Sequence, residues 1–191
     1  LEFRIGNLPG TWILGFGPSC SIAKSALTLL PFTVRLKFHG DLNFFLKPHS
    51  ETLISRILKE RTSVKDLIEA CGVPHTEVDR VIVNREPVNF SYVLNENSDV
   101  EVHSVNFTRS TCPGTQLQSR DIRKFAADGH LGKLARNLRL LGFDVFYANT
   151  AEDRQLLEIM QREERALITR DRRLLMHSIV RHGYCPRSGD G

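Results

Sequence analysis

Three short apolar runs, Phe125-Ala126-Ala127, Val145-Phe146-Tyr147 and Ala166-Leu167-Ile168, are separated by two stretches with helical periodicity. In the first stretch Leu131, Leu134, Ala135, Leu138 and Leu141 recur on one helix face, and Gly142 supplies the stop. In the second, Thr150 is predicted to cap a helix carrying Leu156, Leu157 and Ile159. A strand that returns parallel to its predecessor needs a crossover, and a helix of this length is the usual one. Strand, helix, strand, helix, strand therefore predicts an α/β unit built on a parallel sheet.

The preceding half has another rhythm. Val34, Leu36 and Phe38 alternate with Arg35, Lys37 and His39, the period of a half-buried strand, and Ile54, Arg56 and Leu58 suggest a second. Ser63 with Asp66 three residues on is a variant capping box, and the helix it opens stops at Gly72 and Pro74. Val81-Ile82-Val83, a turn at 84–86 and a strand at 100–105 complete a small α+β unit over residues 33–106. Residues 107–121, with Pro113 and Gly114, read as a linker to an α/β unit over 122–191. Residues 1–32 read as a poorly ordered or mis-started leader. The chain opens on Leu1, and Trp12-Ile13-Leu14 is too short for the apolar core of a signal peptide.

In a parallel sheet, sites form beyond the carboxyl ends of the strands. Asp128 closes the first apolar run and Asp171 lies just past the third, while Glu152 and Asp153 fall in the first turn of the second helix. Carboxylates brought together in this way repel unless a hard divalent cation holds them. Mg²⁺ or Mn²⁺ fits an all-oxygen set and can activate water against a phosphodiester. Each acid also has a reading as a helix cap: Asp128 for the helix near Leu131, Asp153 as partner of Thr150, and Asp171 for a turn containing Leu174 and Leu175.

Charge points the same way. Residues 1–118 hold 12 Lys+Arg against 12 Asp+Glu, whereas 119–191 hold 14 against 10, so the whole excess of +4 sits with the α/β unit. Lys133, Arg136 and Arg139 recur every three residues on the first helix, and Arg170, Arg172 and Arg173 flank Asp171. Such cations suit an RNA backbone, although a solvated helix face is the commoner use. Cys20, Cys71, Cys112 and Cys185 are scattered without a CxxC pair, as expected of reduced thiols in a cytoplasmic protein. No apolar run is long enough to span a bilayer, so no membrane partner is expected.

The run Phe125-Ala-Ala-Asp-Gly-His-Leu-Gly-Lys-Leu-Ala-Arg-Asn-Leu-Arg-Leu-Leu-Gly-Phe-Asp144, with Leu167-Ile-Thr-Arg-Asp171 and Val180-Arg-His-Gly-Tyr184, resembles the Mut-seven carboxy-terminal RNase family. That family has a PIN-like fold and is also described as PilT N-terminus-like. Leu42-Asn-Phe-Phe-Leu46, Ser63-Val-Lys-Asp-Leu-Ile-Glu69 and Gly72-Val-Pro-His-Thr-Glu-Val78 resemble the ubiquitin-like β-grasp domain that precedes this RNase in bacterial members. The resemblance implies a ribonuclease with Asp128, Asp153 and Asp171 as metal-binding acids, Glu152 as an assistant and Mg²⁺ or Mn²⁺ as cofactor. It further implies that Lys133, Arg136, Arg139 and Arg170 contact RNA phosphates, that Thr169 positions the loop and that His130 is incidental. The β-grasp unit lacks a terminal Gly-Gly, which implies binding of a protein partner or scaffolding rather than sulfur transfer.

The zinc ribbon that usually follows in this family has no counterpart, and a further late acid is represented only by Asp190, so a truncated nuclease domain is expected. The alternative to an enzyme is a non-catalytic module, derived from such a nuclease, that binds nucleic acid or protein.

Overall fold

A computed structural model describes residues 30–46, 53–105, 116–119, 121–150 and 152–187. Most of the expected leader, most of the 107–121 linker and Asp190 lie outside these residues.

The alternation after Pro31 becomes β1 (Phe32–His39), with Val34 and Leu36 fully buried and the intervening residues facing out. Burying such a side chain contributes about 1.5–3 kcal/mol, so one register is strongly preferred: a slip of one residue would place Arg35 and Lys37 in the core. β2 (Leu53–Leu58) pairs antiparallel with β1, and after the short β3 (Thr62–Ser63) comes α1 (Val64–Ala70). Ser63 caps α1 as the sequence predicts, its Oγ accepting from Asp66 N at 3.1 Å. β4 (Val78–Val83) and β5 (Glu86–Val88) form a hairpin, and Asn84 and Arg85 in its turn both take positive φ. β6 (Val93–Leu94) pairs with β3, and β7 (Ser98–Ser104) returns through the middle of the main sheet. The strand order β2-β1-β7-β4-β5, with β1 and β7 parallel and the outer pairs antiparallel, is a mixed β-grasp sheet.

The second sheet is wholly parallel, in the order β11-β10-β8-β9, built from β8 (Lys124–Ala127), β9 (Asp144–Tyr147), β10 (Ala166–Ile168) and β11 (Gly183–Tyr184). α2 (Gly132–Leu140) links β8 to β9, α3 (Asp153–Glu163) links β9 to β10, and α4 (Arg172–Leu175) follows β10. Two details depart from the sequence reading. α2 ends at Leu140, so Leu141 falls beyond the buried stripe and is 74% exposed. α3 starts at Asp153 with Glu152 in the N-cap position, so Thr150 does not cap it.

The two units are not beads on a string. Leu156, Met160, Leu167, Leu174, Leu175, Val180 and Cys185 belong to the same buried cluster as Leu36, Leu42, Val73 and Val102. Polar contacts reinforce the join: His75 Nε2 lies 2.7 Å from Val180 O, and Arg172 donates to Phe44 O and Phe45 O at 3.2 and 2.9 Å. Gln118, in the stretch that composition reads as linker, is buried and donates to His75 O and Val78 O.

Gln118 also faces His182 across 3.1 Å, and burial with the neighbouring Arg181 pushes the His182 imidazole below its ordinary value of 6.5. Between the folded value and 6.5 the unfolded chain takes up a proton that the folded chain refuses. The stability from this group is therefore complete above 6.5 and declines as pH falls through that window. Urea titrations of the wild-type chain from pH 7.5 to 5.5 should show the decline, and His182→Gln should lessen it, leaving the part due to His103, whose imidazole burial also lowers; an unchanged slope in the variant would remove His182 as a source.

Candidate active site

The carboxyl ends of β8 and β10 lie side by side because Asp128 N donates to Ile168 O at 3.0 Å. β8 passes through the sheet on Ala126 and Ala127, both fully buried, and delivers Asp128 to the edge of the interior. The following turn is tightly fitted: a Cβ on Gly129 would meet Asn149 O at 2.9 Å, and one on Gly132 the Tyr147 hydroxyl at 2.6 Å. The Tyr147 hydroxyl donates to Gly129 O at 2.9 Å, fastening the loop after β8 to β9.

Thr169 is fully buried and joins two of the acids. Its Oγ1 donates to Asp128 Oδ2 at 2.8 Å and accepts from Asp171 N at 3.0 Å. Asp171 in turn caps α4, its Oδ1 accepting from Arg173 N at 2.8 Å and Leu174 N at 3.4 Å. The capping reading is thus correct for Asp171, and that role leaves its other oxygen outside these bonds. It is not correct for Asp128, whose side chain makes no cap bond and turns to Thr169 instead.

Asp128, Asp153 and Asp171 line one cleft of about 500 Å³, together with His130, Leu131 and Arg170. A second depression of about 620 Å³ shares Asp153 and Asp171 and runs on between α3 and α4 past Arg154, Arg173 and His177. Among the sequence-predicted residues, the three aspartates and Arg170 are brought together. Glu152 is exposed at the start of α3 and does not line the cleft. Lys133 and Arg136 are exposed on α2, also outside the lining. Arg139 is engaged elsewhere, donating through Nε and Nη2 to Val145 O at 3.1 and 2.8 Å, which ties the end of α2 to β9.

His130, read as incidental from the sequence, faces the same cleft as the aspartates. Its signal was position, since it lies two residues past Asp128 in a strand-end loop. Arg154 and His177 carried no local signal; only the packing of α3 beside α4 places them on the groove.

The donor chemistry fits a hard cation. Three carboxylates on one cleft offer only oxygen, and the Thr169 bonds orient Asp128 and the Asp171 backbone without consuming every carboxylate oxygen. The three carboxylates do not lie within 4.8 Å of one another as a set, so they would have to draw together around an ion. Cys71 and Cys185 are free thiols outside this lining, and burial pushes both above the ordinary thiol range. Among the described residues no helix is long and apolar enough to cross a membrane.

Residues 32–116 match the family model described as Mut7-C ubiquitin, and residues 123–190 match the one described as Mut7-C RNAse domain. No curated protein is significantly similar to the chain.

Proposed function

Since the chain belongs to the Mut7-C family, with its ubiquitin-like and RNAse domains in tandem, we propose that it is a divalent-metal-dependent ribonuclease acting at the Asp128 cleft. The observation that carries this reading is the convergence of Asp128, Asp153 and Asp171 on one cleft beside Arg170.

The three aspartates would hold Mg²⁺ or Mn²⁺, with Glu152 assisting from the start of α3. When bound, such an ion supplies an activated water and offsets charge on the phosphodiester. The protein's own part is placement. Thr169 keeps Asp128 aimed into the cleft and fixes the backbone at Asp171, so the carboxylates need little reorganisation when substrate arrives. Arg170 meets the phosphate at the cleft, while Arg154 and Arg173 continue the cationic track along the adjoining groove. Lys133 and Arg136 extend it over α2. Among the described residues the lining has no aromatic array, so the track suits a backbone and not a base sequence. The ubiquitin-like domain serves as a scaffold for the RNAse domain and offers a surface to a protein partner.

Incubating the purified chain with a generic single-stranded RNA should give cleavage in Mn²⁺ and none in EDTA, with binding that weakens as salt rises. Salt-sensitive RNA binding that persists in EDTA without product would replace this reading with the non-catalytic module.

A further inference from the structure

The outer face of the β-grasp sheet carries a side-chain cluster that the nuclease reading does not use. β1 and β7 run parallel, and their register sets His39 directly beside His103. Glu101 lies two residues before His103, so the pleat turns it to the same face. The two imidazoles stack with centroids 4.4 Å apart and planes within 4°. Both present Nε2 to one oxygen: Glu101 Oε2 lies 3.2 Å from His39 Nε2 and 3.6 Å from His103 Nε2. One ligand atom from each of the three residues lies within 4.8 Å of the others.

We propose that His39, Glu101 and His103 form a second cation site, selective for a borderline-soft divalent ion such as Zn²⁺, on the ubiquitin-like domain and independent of the aspartate cleft. The spacing is the first argument. Ligands held about 2.0–2.1 Å from a tetrahedral zinc ion stand roughly 3.4 Å apart, and the two observed N···O separations fall on either side of that value. The donor set is the second. Two imidazole nitrogens and one carboxylate oxygen suit zinc and its neighbours, whereas the cleft offers oxygen alone and suits magnesium or manganese.

Burial provides the third argument. The His39 and His103 side chains are only 20% and 11% exposed, which keeps both beside Glu101, while Glu101 at 49% leaves one side open to solvent. Because the ring planes are parallel, one ring must tilt for both Nε2 lone pairs to reach one ion. Three protein ligands with an open fourth position would bind an ion and still admit water or a group from a partner. Around the cluster, Lys37 lies beside Glu101 on β1 and Arg80 beside His103 on β4. Their charges oppose a cation and limit affinity, so the site is expected to bind reversibly rather than to hold the fold together. A bound ion would staple the end of β1 to β7.

The test uses the full chain carrying Asp128→Asn, stripped with EDTA, dialysed and titrated with Zn²⁺ by calorimetry and with Co²⁺ by visible absorption. One Zn²⁺ per chain at the cluster is expected, with Co²⁺ giving the visible bands of a low-coordinate nitrogen-oxygen site. His39→Ala and Glu101→Gln should each weaken Zn²⁺ binding by at least the roughly 10–100-fold that loss of an outer-shell partner alone causes. Both positions lie on the outer face, and thermal melts in EDTA report whether the variants stay folded. Zn²⁺ affinity unchanged in the two folded variants, or no measurable binding by the parent, would overturn the proposal.

Discussion

Asp128→Asn is expected to reduce RNA cleavage by more than about 100-fold while leaving the fold intact. The substitution removes a charge but little volume, and the amide oxygen can still accept the Thr169 hydroxyl that Asp128 Oδ2 accepts at 2.8 Å. Asp128 caps nothing through its side chain, so no helix start is lost with it. What goes, on the proposed reading, is one of three anionic donors to a hard cation. A neutral amide is a much poorer ligand, and the loss should exceed the 10–100-fold effect typical of an outer-shell change. Single-turnover cleavage at saturating Mn²⁺ measures it, with circular dichroism to verify the fold. Partial recovery at higher Mn²⁺ would identify weakened metal binding as the cause. Wild-type cleavage by the variant would instead move the chemistry away from this cleft.

Glu77→Ala is expected to destabilise the whole chain by about 3 kcal/mol, because Glu77 sits at the buried join between the two domains. Its side chain is 3% exposed and accepts from Cys185 N at 2.6 Å and from Arg187 Nη2 at 2.8 Å. Arg187 also reaches Asp41 at 3.1 Å and lies over the rings of Phe44, Phe45 and Tyr184. Removing the carboxylate leaves a buried amide without its acceptor and a guanidinium with only the Asp41 half of its pairing. Burial, with the nearby Asp41 charge, pushes the Glu77 carboxyl up despite the Cys185 amide and Arg187, so its contribution to stability lies in those bonds and not in the charge itself. Urea unfolding at neutral pH should show a lower midpoint in the variant. A midpoint equal to wild type would mean that the apolar cluster alone joins the domains.

The sequence by itself determined the local elements and the strand ends. Val34, Leu36 and Phe38 form one face of β1 because period two has only one way to bury them, and Ser63 caps α1 because its hydroxyl is in reach of the third amide. Asp128 and Asp171 stood out because strand-end positions in a parallel sheet face a common edge. Periodicity, however, says which face is buried and not what covers it. Only tertiary structure showed that Arg139 is occupied by Val145 O, that His130 joins the aspartates, and that Gln118 is buried where composition suggested a linker. The same holds for His39 and His103, which are 64 positions apart. Each reads alone as an ordinary strand residue, and only the parallel pairing of β1 with β7 stacks their rings against one carboxylate. Local sequence fixes torsions and amphipathic faces through nearest-neighbour physics, whereas the partners of those faces are chosen by the packing of the entire chain.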